Sequence, residues 1–204
     1  MKGKSLFIVL VVTLLTIGLV WVVAQALSTE SPAPVAPARP MVQWDGTGLP
    51  ISLEGALRRA EERALAWQAD AILVRVDGTW RPGVERLERQ VLPVPWSFYY
   101  YSPSAQALAS AVVDADSTFW IPPLPMRGDP LAELAPFPPA YEPHQVWLTF
   151  RGAGGDQFVR THPDAVVTMV LHMEDGRPVW KMMAISEGYY IEVRIDAETG
   201  LVLL

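Results

Sequence analysis

Apolar and polar positions alternate most cleanly in residues 178–204. Trp180, Met182 and Ala184 fall on one face of an extended chain, and Lys181, Met183 and Ile185 on the other. Beyond Glu187-Gly188 the same period returns, with Ile191, Val193 and Ile195 alternating with Glu192, Arg194 and Asp196. Asp196-Ala197-Glu198-Thr199-Gly200 then offers a carboxylate that can accept from nearby backbone N–H groups and a glycine free to take positive φ. Residues 201–204 resume as a strand, so the stretch predicts a β-meander. Residues 164–173 predict the strand that leads into it, turning at Glu174-Asp175-Gly176. Before that, Val146, Trp147, Phe150 and Phe158 have helical spacing, interrupted by Gly152, Gly154 and Gly155.

The first half of the chain has a similar order. Ser52 caps a predicted helix whose stripe is Leu53, Ala56, Leu57, Ala60, Ala64 and Trp67, with Glu54 in the first turn and Arg58, Arg59, Glu61, Glu62 and Arg63 facing away. Residues 71–76 predict a strand ended by a turn at Asp77-Gly78. Residues 94–102 predict a second, setting Trp96, Phe98 and Tyr100 against Ser97, Tyr99 and Tyr101, and residues 108–114 predict a third. Residues 82–93 between the first two strands are charged and predict a long hairpin loop. Residues 121–139 carry Pro122, Pro123, Pro125, Pro130, Pro136, Pro138 and Pro139, which predicts a linker with little regular structure.

At the N-terminus, Lys2 and Lys4 precede an apolar run over residues 6–23, a length suited to crossing a bilayer as a helix. The run is longer than most signal-peptide cores, which favours a retained anchor with its N-terminus in the cytoplasm and the rest exported, although Ala24-Gln25-Ala26 offers a cleavage site. Residues 28–50 hold Pro32, Pro34, Pro37, Pro40 and Pro50 and read as an extended stalk. The chain carries a formal net charge of -6 and no basic run in its body, which argues against nucleic acid as a partner. It has no cysteine, which excludes disulfides, thiolate nucleophiles and Cys-based metal sites.

The two halves agree in order. Each reads helix, Asp-Ala, strand, Asp-Gly, strand, strand, with Asp70-Ala71 answering Asp164-Ala165 and 113–117 answering 195–199. The second half, with a strand, Asp-Gly, a Trp-bearing strand and a final strand ending in Asp-Ala-Glu-Thr-Gly, resembles the PepSY domain. The resemblance covers residues 143–204 well and 51–120 more loosely, where Ser117-Thr118 stands in place of the usual Thr-Gly. It implies a helix packed on an antiparallel sheet and protein interaction or protease inhibition outside the cytoplasm, and it supplies no catalytic residues. The expected architecture is therefore α+β: a membrane anchor or signal at 1–27, a stalk at 28–50, an α-β-β-β unit at 51–120, a linker at 121–142 and a second unit at 143–204.

Candidate chemistry is sparse. His144, His162 and His172 lack metal-ligand spacing, so no metal is expected. The glycines between Arg151 and Asp156 lack the Lys and Ser/Thr of a phosphate loop, so no cofactor is expected either. Asp114 with Asp116 and Asp196 with Glu198 sit where turns need them, and Ser102, Ser104 and Ser110 belong to no nucleophile motif. The exceptional feature is aromatic and sulfur-bearing side chains on both faces of two strands: Trp96, Phe98, Tyr99, Tyr100, Tyr101, Trp180, Met182 and Met183. A sheet covered on one face buries only alternate residues, so these predict an interface, either within the chain or with a partner. The sequence thus points to a non-enzymatic, membrane-tethered extracytoplasmic module that binds a protein or peptide, an exported protease being one candidate. An extracytoplasmic sensor or small-ligand domain is the alternative.

Overall fold

The computed structural model describes residues 52–83 and 95–203. The apolar run at 6–23, the stalk at 28–50 and most of the loop at 82–93 lie outside the described residues. Among the described residues, no helix is long and apolar enough to cross a membrane.

Helix α1 (Leu53–Trp67) starts where Ser52 Oγ accepts from the Gly55 N–H at 3.1 Å, and it buries Ala56, Leu57, Ala60 and Ala64. Four strands follow: β1 (Ile72–Trp80), β2 (Trp96–Ser102), β3 (Ala107–Val113) and β4 (Thr118–Pro125). Helix α2 (Pro143–Phe150) opens with Pro143 in its first turn and with Gln145 Oε1 accepting from the Glu142 N–H. It runs through a π turn (Arg151–Gly155) into α3 (Asp156–Thr161). Strands β5 (Val166–Glu174), β6 (Arg177–Ser186), β7 (Tyr189–Asp196) and β8 (Val202–Leu203) complete the chain. The fold is α+β, and every strand pair is antiparallel.

The strands form one sheet in the order β4-β3-β2-β1-β5-β6-β7-β8. Two meanders therefore meet at β1 and β5, with Val76 opposite Leu171 and Asp77 opposite Val170. This corrects the expectation of two units with separate sheets. Residues of α1, α2 and α3 and of both meanders share one apolar core, in which Trp80 of β1 meets Trp147 of α2 edge-on at 5.4 Å between centroids. The β1–β5 ladder gives each half the neighbouring strand that it would otherwise lack.

Two further expectations change. Asp77-Gly78 is not a turn, because β1 runs on to Trp80 and both residues are paired on both sides, with Ser97 and Trp96 of β2 and with Val170 and Met169 of β5. Ladders on two flanks outweigh local turn propensity. The linker also starts late, because residues 118–125 form β4 despite Pro122, Pro123 and Pro125. An edge strand tolerates proline wherever its N–H would face away from the sheet. Here the residues registered against β3 include Phe119, Ile121 and Leu124, while Pro122 and Pro123 fall at an irregularity between them.

The rest of the proline-rich segment is held by single contacts. The Leu134 N–H donates to Leu73 O at 2.7 Å and its side chain is buried, while the Tyr141 N–H donates to Ala197 O at 2.9 Å. Trp180 Nε1–H donates to Tyr141 O at 2.9 Å, tying this strap to the centre of β6.

Candidate binding surface on the helix-free face

The helices cover one face of the sheet, and strand parity decides which side chains reach the other. In β1 these are Arg75, Asp77 and Thr79; beside them lie Ser97 and Tyr99 of β2 and Thr168, Val170 and His172 of β5. An irregularity between Leu73 and Arg75 sets Val74 apart from the β2 register, and such a bulge bends the strand and re-aims its neighbours. On this face opens a groove of about 690 Å³ whose walls include Arg75, Tyr99, His172, Met173, Lys181 and Met183, with Leu131 and Ala132 of the strap along its rim. It spans the junction of the two meanders.

Charges on this face are cross-linked. Arg75 lies 3.3 Å from Asp77 and stacks over the Tyr99 ring at 5.4 Å. Lys181 reaches Glu192 at 2.9 Å, and Glu174 accepts from Arg194. Burial raises the Asp77 carboxyl above the usual carboxylate range, against the pull of Arg75 and a hydrogen bond from Tyr99. Burial likewise lowers His172, with Glu174 opposing and Arg75, Lys181 and Arg194 reinforcing. Asp77 Oδ1 and His172 Nδ1 are both buried without a hydrogen-bond partner. The groove therefore combines aromatic and thioether surface with Arg75 and Lys181, each paired with a carboxylate, and with a partly desolvated His172.

The expected interface residues divide between the two faces. Trp96, Phe98, Tyr100, Trp180 and Met182 point under the helices and are core, at most 3% exposed. Strand alternation commits every second side chain to this apolar layer, which both halves share. Tyr99 and Met183 line the groove, and Tyr101, on their face by parity, is buried. Arg75, Asp77, His172 and Lys181 were absent from the expected interface. A charged or imidazole side chain in the middle of an apolar strand, as in Val74-Arg75-Val76 and Leu171-His172-Met173, was the available signal.

The carboxylate pairs build turns. Asp114 Oδ1 accepts from the N–H groups of Asp116 and Ser117 at 2.9 and 2.6 Å, and Asp196 Oδ1 from those of Glu198 and Thr199 at 3.0 and 2.8 Å. Two serines cap strand ends alike: Ser102 Oγ donates to Asp70 at 2.7 Å and Ser186 Oγ to Asp164 at 2.9 Å. Asp156 is gripped by Arg151 and Arg160, which keeps its carboxyl below the usual range, Arg160 contributing most.

Residues 156–203 match the family model described as "Peptidase propeptide and YPEB domain", PepSY. No curated protein matches the chain. Among solved structures, it is similar to a "putative lipoprotein" from Clostridium difficile 630, with 12% identity and a TM-score of 0.47 over 76% of this chain and 91% of the other. The residues matched to the PepSY model are those of helix α3 and strands β5 to β8.

Proposed function

We propose that this protein is a non-enzymatic, membrane-tethered extracytoplasmic module that binds a protein or peptide in the groove on its helix-free face and so restrains an exported protease. The groove across the β1–β5 junction carries this reading, because its Tyr99, Met173 and Met183 are adaptable apolar contacts and its Arg75, His172 and Lys181 can orient a carboxylate or a backbone carbonyl. The PepSY match over 156–203 supports the exported setting and the interaction role. We further propose that residues 52–125 are a second, diverged copy of the same unit. Its supports are the shared strand order, the matched Asp70–Ser102 and Asp164–Ser186 bonds, and the matched Asp114 and Asp196 turns.

Affinity capture from the exported proteome with the full chain and with its Tyr99→Ser/Met183→Ser variant tests the groove. The expected result is a specific protein retained at stoichiometric yield by the wild type, lost by the variant, and inhibited by the wild type if it is a protease. A partner retained equally by both would overturn the groove assignment, and no retained protein would favour the alternative of a small-ligand or sensor domain.

A further inference from the structure

His172 stands where the two meanders join, opposite Arg75 of β1 and Val179 of β6. It lines the groove, with its side chain 31% exposed. Its two ring nitrogens meet different surroundings. Nε2 lies 3.9 Å from Glu174 Oε2, whereas Nδ1 is buried and has no hydrogen-bond partner among the described residues. A neutral imidazole carries one N–H, which Nε2 can direct at Glu174 while Nδ1 stays bare. The imidazolium carries two, and the second would be buried without an acceptor.

The charges facing His172 are already matched. On β1, Arg75 lies 3.3 Å from Asp77, which a hydrogen bond joins to Tyr99 of β2. On β6 and β7, Lys181 lies 2.9 Å from Glu192, and Arg194 donates to Glu174 of β5 itself. Farther along the same face, Arg177 of β6 and Asp196 of β7 attract each other. Arg127, Asp129 and Glu133 of the strap are exposed and line no wall of the groove. Arg75, Lys181 and Arg194 thus each have a carboxylate, and a proton on His172 adds a charge that has none of its own. Burial already lowers the His172 pKa, and an occupant that takes water from the exposed part of the ring acts in the same direction.

We propose that the groove accepts an uncharged stretch of a partner polypeptide and holds it only while His172 is unprotonated, so that acid releases it. The inference rests on the groove as the protein-binding site and adds the chemistry and the control of its occupant. A backbone carbonyl or an apolar side chain can settle against Tyr99, Met173 and Met183 with no change in the charges around it. An acidic side chain could enter only by taking Arg75 or Lys181 from its own carboxylate, which would be left unpaired on a partly buried face. A basic one would face both cations.

The test selects a displayed library of random linear peptides on the immobilised full chain at about pH 7.5, and keeps the clones that bind the Tyr99→Ser/Met183→Ser variant at least about tenfold more weakly. These groove-dependent clones should share an uncharged core. They should bind the wild type at least about threefold more weakly at about pH 5, one proton allowing up to about tenfold per pH unit. On His172→Gln the two affinities should agree within about twofold, while Asp77→Asn should keep the acid loss. In the free, unmodified chain the Met183 methyl should follow the titration of the His172 imidazole, and the Met182 methyl, under the helices, should not; this reading stands should a variant misfold. Groove-dependent clones indifferent to pH or bound more tightly in acid, an acid loss that survives His172→Gln, an acidic consensus, or a Met183 methyl unmoved by the titration would each overturn the inference while leaving the groove as a binding site. A library with no groove-dependent clone would overturn the groove reading itself, and the inference with it.

Discussion

His172 and Asp77 share the helix-free face, and burial acts on them through the same physics with opposite consequences for protons. Burial lowers the His172 pKa, so the folded chain holds its proton less tightly than the unfolded chain does. Its contribution to stability is present above the ordinary histidine value of about 6.5 and is lost as pH falls through that value toward the lower folded one. For Asp77 the folded pKa is raised, so its contribution is greatest below the ordinary carboxylate value of about 3.9 and is lost as pH rises through the folded value. We expect His172→Gln to flatten the fall in melting temperature below about pH 6.5, and Asp77→Asn to flatten the change above about pH 3.9. Melting temperature against pH for the three proteins checks this, and slopes identical to wild type would count against the burial of either group. Nothing in the sequence announced Asp77, because an Asp before a Gly has the composition of a turn, and only pairing on both flanks makes it a mid-strand residue.

At the scale of elements, the turn after β7 does more than reverse the chain. Gly200 adopts φ +75°, and a Cβ there would enter the Tyr141 ring, which belongs to the strap held by Trp180. Gly188, in the β6–β7 turn, has a comparable φ of +88° but open space around it. Gly188→Ala should therefore cost only the left-handed backbone term of about 1–2 kcal/mol. Gly200→Ala should add an overpacking cost of about 1–3 kcal/mol. Denaturant midpoints of the two variants test the difference, and equal losses would show that Tyr141 yields without cost. These turns were legible because Gly and Asp act locally, as were α1 and the β6–β7 alternation, where one face is apolar throughout. Strand β4 was not legible. Its prolines forbid a central strand but not an edge, and whether a segment lies at an edge depends on which strands neighbour it.

For the whole molecule, the internal correspondence was visible in Asp70-Ala71 and Asp164-Ala165, but the joining of the halves was not. Antiparallel pairing of β1 with β5 links residues 89 apart at Thr79 and Thr168, whose hydroxyls lie 3.2 Å from each other, and no local pattern encodes such a contact. The consequence is cooperative. Separating the halves would expose the edges of both β1 and β5 and would break the core that Val76, Trp80, Trp147 and Leu171 share. We therefore expect the described domain to unfold in one transition, with near-UV signals from the tryptophans and exchange of the β1 and β5 amides reporting the same midpoint. Trp96→Ala in the first half and Trp180→Ala in the second should each cost about 3–5 kcal/mol, as buried aromatic truncations do, and each should move that common midpoint. Independent halves would behave otherwise. Trp96→Ala would then lower only the transition seen by β2 and β3 amides and leave β6 and β7 unchanged, and that outcome would show that the β1–β5 ladder joins two domains rather than building one.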